Sequence, residues 1–370
     1  MAIRILHCHS TFDLGGKEAR AVRLMNAFGP AARHVILSAV PGALGARVAI
    51  DKDVRVTFPE RHPSLTGRPT LARFRALAEF MRDFDLILTY NWGAMDAVMA
   101  RRIHAKDLPP LIHHEDGFNA DEAVRLKTER NLFRRLGLPA ARALVVPSER
   151  LETIALNVWK QPRARVVRIA NGIDTAAYAR KPTFAIPGLK KARGEVVVGT
   201  LAGLRGVKNL PMLVRVVAAV PGAKLVIVGE GPEREAIRAE AARVGMADRL
   251  VMPGFLEAPH RYIGHFDVFA LSSLSEQFPI SLVEAMAAGL PAVATDVGDV
   301  RAIVAPENLP FIVGDEAAMV HALRALVGSA GLRRQVGEAN RTRARTALDE
   351  ATMIARYRAL YGVEDLMSGP

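Results

Sequence analysis

Apolar residues recur along this chain in short blocks, separated by glycine-bearing turns and by longer stretches with helical spacing. Ile3–His9 is the first block; residues 33–39, 54–58, 85–89, 143–147 and 166–170, with the start of 111–117, repeat it through the first half. Residues 195–201, 224–229, 249–252, 267–271 and 292–295 do the same in the second half. Blocks apolar on both faces suit strands of a parallel sheet covered by helices. Amphipathic segments lie between them at 18–28, 70–82, 121–136, 316–328, 332–344 and 349–361, with further helix starts near Leu210 and Ser281. Strands alternating with helices predict an α/β fold with doubly wound parallel sheets. Both halves follow this rhythm without an apparent repeat, so two Rossmann-like domains facing a central cleft are expected.

Length agrees, because 370 residues exceed one typical core. Pro182, Pro187, Gly188 and the basic residues around them mark a linker over 180–193, dividing the chain into domains 1–185 and 186–370. No apolar run reaches the roughly 18 residues needed to cross a membrane. The opening MAIRILHCHS lacks a signal-peptide layout, so a cytoplasmic protein is expected. The single cysteine, Cys8, excludes an internal disulfide. His7 and His9 flank it, but strand alternation sends them to one face and Cys8 to the other; with no second ligand cluster, no metal site is expected.

Charge adds a direction. The formal net charge is +12, and residues 1–185 hold 29 Lys and Arg against 18 Asp and Glu, while the remainder holds 21 against 20. Such asymmetry suits a phosphate-bearing substrate, an anionic membrane surface or nucleic acid. Nucleic acid is set aside, because the bases are not interleaved with aromatics and no nucleic-acid-binding module is recognisable. In 70–82 the arginines Arg73, Arg75 and Arg82, with Arg68 just before, oppose Leu71, Phe74, Leu77, Ala78 and Met81; 121–136 carries Arg125, Lys127, Arg130, Arg134 and Arg135. Either face can meet an anionic membrane peripherally or simply solvent, and in the second helix the bases also suit the dipole.

Candidate chemistry concentrates in residues 275–299, SEQFPISLVEAMAAGLPAVATDVGD. Ser281 and Glu284 have capping-box spacing, 282–288 is apolar nearly all round, and Gly289-Leu290-Pro291 stops the helix. The helix start exposes N–H groups that favour an anion. Spacing alone leaves open that Glu284 only caps and that Glu276 is only a loop acid. Elsewhere, Gly15-Gly16 follows the first strand and precedes a helix, an arrangement that faces phosphates or merely turns the chain tightly. Arg205 and Lys208 lie in a glycine-containing loop between strand and helix, where a guanidinium fork and an ammonium suit a diphosphate. Residues 111–117, LIHHEDG, end a strand with two histidines and two acids; alternation pairs His113 with Glu115 and His114 with Asp116, so one pair should face a ligand. Gly229-Glu230-Gly231-Pro232-Glu233-Arg234 lacks the third glycine of a dinucleotide fingerprint.

Taken together these segments resemble the retaining glycosyltransferases of family 4, which have the GT-B fold. The E-x7-E motif is matched by Glu276, Phe278, Pro279, Glu284, Ala285, Met286, Gly289, Pro291 and Thr295, with Gln277 where the family most often has glycine. Gly15, Gly16 and Glu18 match its G-G-x-E, Asn171-Gly172-Ile173-Asp174 its pre-linker turn, Gly229-Glu230-Gly231-Pro232 its G-x-G-P, and Arg205 and Lys208 its basic pair. The resemblance implies transfer of a hexose or related sugar from a nucleoside diphosphate sugar to a hydroxyl of a glycan or lipid-linked acceptor, without metal or other cofactor. It implies donor contacts at Gly15, Gly16, Arg205, Lys208, Phe255, Glu276, Phe278, Pro279, Ile280, Ser281, Leu282 and Glu284, with His113, Arg205, Lys208 and Glu276 closest to the chemistry. His114, Glu115 and Asp116 are acceptor-side candidates, and the last helix is expected to pack back on the first domain. A nucleotide-sugar epimerase of the same fold and a non-catalytic nucleotide-sugar or membrane-binding protein are the alternatives.

Overall fold

A computed structural model of the protein describes residues 2–13, 15–118, 122 and 126–363. Seven strands, β1 Ile3–His9, β2 Ala32–Ser38, β3 Arg55–Thr57, β4 Leu86–Tyr90, β5 Leu111–His114, β6 Ala143–Val146 and β7 Val166–Arg168, form a parallel sheet ordered β3-β2-β1-β4-β5-β6-β7. Six more, β8 Val196–Leu201, β9 Ala223–Val228, β10 Leu250–Gly254, β11 Val268–Leu271, β12 Ala292–Thr295 and β13 Ile312–Val313, form a second parallel sheet ordered β10-β9-β8-β11-β12-β13. In each sheet the order reverses beside the first strand. Such a switch point opens a crevice at the strand C-termini, where α/β proteins place ligands. The loop after β1 carries Gly15-Gly16, and the loop after β8 carries Arg205 and Lys208.

The chain forms two compact units, one of residues 1–170 and 353–370, the other of residues 171–352. The division thus falls ahead of the boundary expected near 185, because the Asn171-Gly172-Ile173-Asp174 turn belongs to the second unit. Ile173 bridges Asp349 there, and the Thr175 hydroxyl donates to the Asp349 carboxylate at 2.5 Å. From Met353 the helix Glu350–Tyr361 packs in the first unit: Met353, Tyr357 and Tyr361 join Ile5, Leu86, Leu88 and Ile112 on one face of its sheet. On the other face Cys8 lies with Leu6, Ile87 and Leu144, so the alternation of His7, Cys8 and His9 holds.

Most expected elements differ from the observed ones by a residue or two. The helix Gly16–Phe28 begins before Glu18, β13 is too short to leave a pattern, and the helix Met95–Ile103 adds to those expected. Of the basic segment 121–136, the described helix is Thr128–Gly137; residues 121 and 123–125, with Arg125, lie outside the described residues. No helix among the described residues is long and apolar enough to cross a membrane.

One glycine in β8 is required by packing. A Cβ on Gly199 would lie 2.1 Å from the ring of Phe266, which is itself buried. Gly199→Ala is therefore expected to lower stability by about 1–3 kcal/mol through overpacking, measured as a lower urea midpoint at unchanged slope.

Candidate functional site

In the second unit, the site is built from three loops at the switch point. β8 leads into residues 202–209, where Arg205 is exposed and extended, and Asn209 takes a left-handed φ of 48° before the helix Leu210–Ala218. This loop leans on residues 229–233 after β9: the Leu204 amide donates to the Glu230 carbonyl at 2.9 Å and the Glu233 amide to the Leu204 carbonyl at 3.0 Å. Gly229 and Gly231 adopt φ of 142° and 155°, and a Cβ on Gly231 would lie 2.5 Å from the Leu204 carbonyl oxygen. The G-x-G-P segment therefore braces the basic loop.

The third loop carries the acids. Lys208 Nζ donates to Glu276 Oε1 at 2.5 Å, and the Ser273 hydroxyl donates to the same oxygen at 2.6 Å. Ser272 donates to the Lys208 carbonyl at 2.8 Å, tying the two loops together. The Thr295 hydroxyl at the end of β12 donates to the Ser273 carbonyl at 2.7 Å. Gly298, at φ 55°, lies where a Cβ would meet the Glu276 carbonyl at 2.2 Å, so the acidic loop rests directly on that glycine. Among the described residues Arg205 has no ion-pair partner, while Lys208 is held by Glu276.

The helix that follows corrects one expectation. It runs Ile280–Ala287 with Pro279 at the N-cap position and no side-chain cap, so Ser281 is its second residue and the capping box does not form. With Pro279 at the N-cap, the helix starts two residues ahead of where a Ser281 cap would start it. Glu284 is engaged elsewhere: the Tyr178 hydroxyl donates to its Oε1 at 2.6 Å. The Leu282 and Val283 amides both reach the Pro279 carbonyl, whereas those of Ile280 and Ser281 have no acceptor among the described residues. Those two amides, at the positive end of the helix dipole, suit an anion. Leu282 and Pro279 bury their side chains, Phe278, Ile280 and Ser281 are partly exposed, and Phe255 is 70% exposed after β10.

In the first unit, Gly15 caps the helix Gly16–Phe28 in extended conformation, and neither Gly15 nor Gly16 has a positive φ. A Cβ on Gly16 would meet nothing within 4 Å, so space there is open. From this helix Arg20 forks onto Asp116, with Nη2 to Oδ2 at 2.9 Å, and Lys17 contacts Glu18. Burial pushes the Asp116 carboxyl up, and the Arg20 charge and hydrogen bonds more than offset it, leaving the net shift downward. Burial lowers the Lys17 ammonium to about 8.

The two histidines of β5 face opposite ways. His113 Nδ1 is 2.8 Å from the Thr89 hydroxyl and its Nε2 is 3.6 Å from Glu115 Oε2, which also accepts from Arg134 Nε at 3.1 Å. His114 Nε2 is 2.8 Å from the Tyr361 hydroxyl, and its ring stacks on Tyr90. Both histidines are buried, and of 111–117 only Asp116 and Gly117 are partly exposed, Asp116 with 12% of its side chain. Tyr178, Ser273 and Arg20 were not among the expected site residues. Ser273 had a local signal in the run Ser272-Ser273-Leu274-Ser275-Glu276; Tyr178 and Arg20 are far in sequence from their partners and had none.

His7, His9, His34 and His114 form one buried group around Tyr90, which stacks on His9 at 4.0 Å, while His7 Nε2 meets His34 Nδ1 at 2.9 Å. Burial lowers His34 to about 4 and His114 to about 3, from an ordinary value of 6.5. The folded state keeps these rings neutral while the unfolded chain protonates them. Stability is therefore full above about pH 6.5 and falls toward pH 4, each ring contributing up to about 1.4 kcal/mol per pH unit. Urea midpoints at pH 7 and pH 5 should differ in that direction; equal midpoints would contradict the neutral cluster. Among the described residues no group of three or more His, Cys, Asp or Glu could hold a metal ion.

Comparisons with known proteins give the following. A family model described as "Glycosyltransferase Family 4" matches residues 14–177, and one described as "Glycosyl transferases group 1" matches residues 184–343. The chain is 32% identical over 188 residues to the putative glycosyltransferase EpsF of Bacillus subtilis, covering 49% of this chain and 48% of that protein. It is 25% identical over 210 residues to the N-acetyl-alpha-D-glucosaminyl L-malate synthase of Bacillus anthracis, covering 54% of each. The chain thus spans about half the length of these curated relatives. Among solved structures, Anabaena HepE in complex with UDP superposes with a TM-score of 0.78 at 18% identity, over 97% of this chain and 99% of that one. Sucrose-phosphate synthase from Thermosynechococcus elongatus superposes with a TM-score of 0.75 at 20% identity, over 99% of this chain and 100% of that one. At these identities the likeness shows the fold, two parallel α/β units of the GT-B type.

Proposed function

The chain belongs to the family 4 glycosyltransferases of GT-B fold, and from that premise we propose that it transfers a sugar from a nucleoside diphosphate sugar to a hydroxyl of a glycan or lipid-linked acceptor. One observation carries the reading: Arg205, the Lys208–Glu276 pair and the two unpaired amides of Ile280 and Ser281 lie on loops at one switch point. A departing diphosphate needs its developing charge stabilised by donors already in place. Arg205 and Lys208 supply two cations and the helix start two N–H groups, a set able to do this without a divalent metal. Lys208 then exchanges Glu276 for phosphate oxygens, and the freed Glu276 carboxylate, kept in place by Ser273, accepts hydrogen bonds from sugar hydroxyls. Glu284 reaches the ribose while Tyr178 holds its Oε1. Partly exposed Phe278 and buried Pro279 shape the loop, exposed Phe255 lies beside the base, and Gly15 and Gly16 of the first unit are donor-contact candidates from the family resemblance.

Retention of configuration follows from same-face attack. The acceptor oxygen bonds to the anomeric carbon as the bond from that carbon to the phosphate oxygen breaks, and the acceptor proton passes to the departing phosphate oxygen. No protein nucleophile is needed. Asp116, fixed by Arg20, is the first-unit candidate for an acceptor contact; Glu115, His113 and His114 keep the end of β5 in position from within. A uridine nucleotide is the first donor to try, because HepE was crystallised with UDP and with UDP-glucose. The experiment is to supply nucleoside diphosphate sugars with candidate glycan and lipid-linked acceptors and follow the anomeric proton by NMR. Glycoside product with the donor's configuration is expected; sugar isomerisation without transfer would overturn the reading.

A further inference from the structure

The first unit holds a cavity of about 510 Å³ at the N-terminal ends of its strands, the opposite end of the sheet from the glycine loop. Arg101, Arg142 and Arg165 line it together with Leu108, Pro110 and Ala140, and no carboxylate is among the described lining residues. Among the described residues the guanidinium groups are held by carbonyl oxygens only. Arg101 Nε donates to Pro109 at 3.2 Å and its Nη1 to Ala105 at 2.9 Å; Arg142 Nη2 donates to Leu360 and Arg165 Nη1 to Pro139. Carbonyls orient a guanidinium without neutralising it, and each arginine has N–H groups to spare. Their neighbours are treated differently: Arg163 pairs with Glu152 and Arg168 with Glu149, while Arg165 has no ion-pair partner among the described residues. Arg142 and Arg165 are exposed and Arg101 is half-buried, so three guanidinium groups with no described carboxylate line one open pocket, where an anion can bridge them.

We propose that this cavity is a binding site for a phosphate ester, separate from the donor site. Planar guanidinium forks match phosphate oxygens in pairs, which favours phosphate over a simple halide. A lipid headgroup and a soluble phosphate ester both present this chemistry, and two probes distinguish them.

The test uses the full chain at low ionic strength with two probes: glycerol 3-phosphate by calorimetry, and phosphatidylglycerol–phosphatidylcholine vesicles by co-sedimentation. Wild type is expected to bind at least one. Arg142→Gln with Arg165→Gln should weaken binding about fivefold per arginine, roughly 25-fold together. Ala140→Asp, which puts a carboxylate at the cavity wall, should do the same without removing either arginine's anchoring bond. Arg163→Gln, outside the cavity, should leave binding unchanged. Vesicle binding lost in both cavity variants assigns the site to lipid; glycerol 3-phosphate binding without vesicle binding assigns it to a soluble ester. Wild type binding neither probe, or folded cavity variants binding both as wild type does, would overturn the proposal.

Discussion

Replacing Lys208 by alanine should lower transfer by about 10²–10³-fold, the loss typical when one preorganised donor to a developing anion is removed. Lys208 is the cation closest to Glu276, at 2.5 Å, and both side chains are largely but not fully enclosed, at 19% and 12% exposure. Its removal takes one charge from the diphosphate and leaves Glu276 held by Ser273 alone. Phosphate binding and carboxylate placement therefore fail together, and kcat should fall with KM rising. The fold should survive, with a melting temperature within about 4 °C of wild type, because solvent still reaches the remaining carboxylate. Glu276→Gln separates the two roles, since nucleoside diphosphate binding persists while transfer is lost. A Lys208→Ala protein with wild-type transfer would remove Lys208 from the chemistry.

The largest effect on stability is expected at Arg134. Its side chain is fully buried, donates to Glu115 at 3.1 Å and to Glu122 at 3.4 Å, and lies 4.9 Å from the Trp159 ring centroid and 5.2 Å from that of Trp92. Glu115 is equally buried, and its second carboxylate oxygen has no partner among the described residues. Arg134→Ala thus strands a charge in the core, at a cost of about 3–5 kcal/mol. Adding Glu115→Gln should recover part of that loss, which a double-mutant cycle by urea unfolding measures. If Arg134→Ala changed stability by less than about 0.5 kcal/mol, the buried pair would not be what holds the end of β5.

The parallel sheets were legible because their strands are apolar on both faces, and the candidate loops because glycines and helix starts follow β1 and β8; the strand order that makes those loops switch points was not. The alternation of His113 and His114 was legible for the same elementary reason. Whether either ring reached solvent was not, since Tyr361, which covers His114, lies 247 residues away. The capping box failed on a local detail: Ser281 and Glu284 have the right spacing, but Pro279 starts the helix first. Nothing near Glu284 in the chain announces Tyr178, and nothing near Arg134 announces the three aromatic rings around it. Arg134 read as one base on a cationic helix face. In the structure it is a core residue, because two carboxylates and three rings together replace its water.

The central claim is that the loops carrying Arg205, Lys208 and Glu276, with the helix start at Ile280, form a nucleoside diphosphate site. The most direct measurement is thermal unfolding of the wild-type chain and of Arg205→Ala with a panel of nucleoside diphosphates. The account predicts that at least one, UDP first, raises the wild-type melting temperature in a concentration-dependent way, and that Arg205→Ala loses most of that rise while keeping its own unliganded melting temperature. No shift with any nucleoside diphosphate, or an equal shift in both proteins, would contradict it.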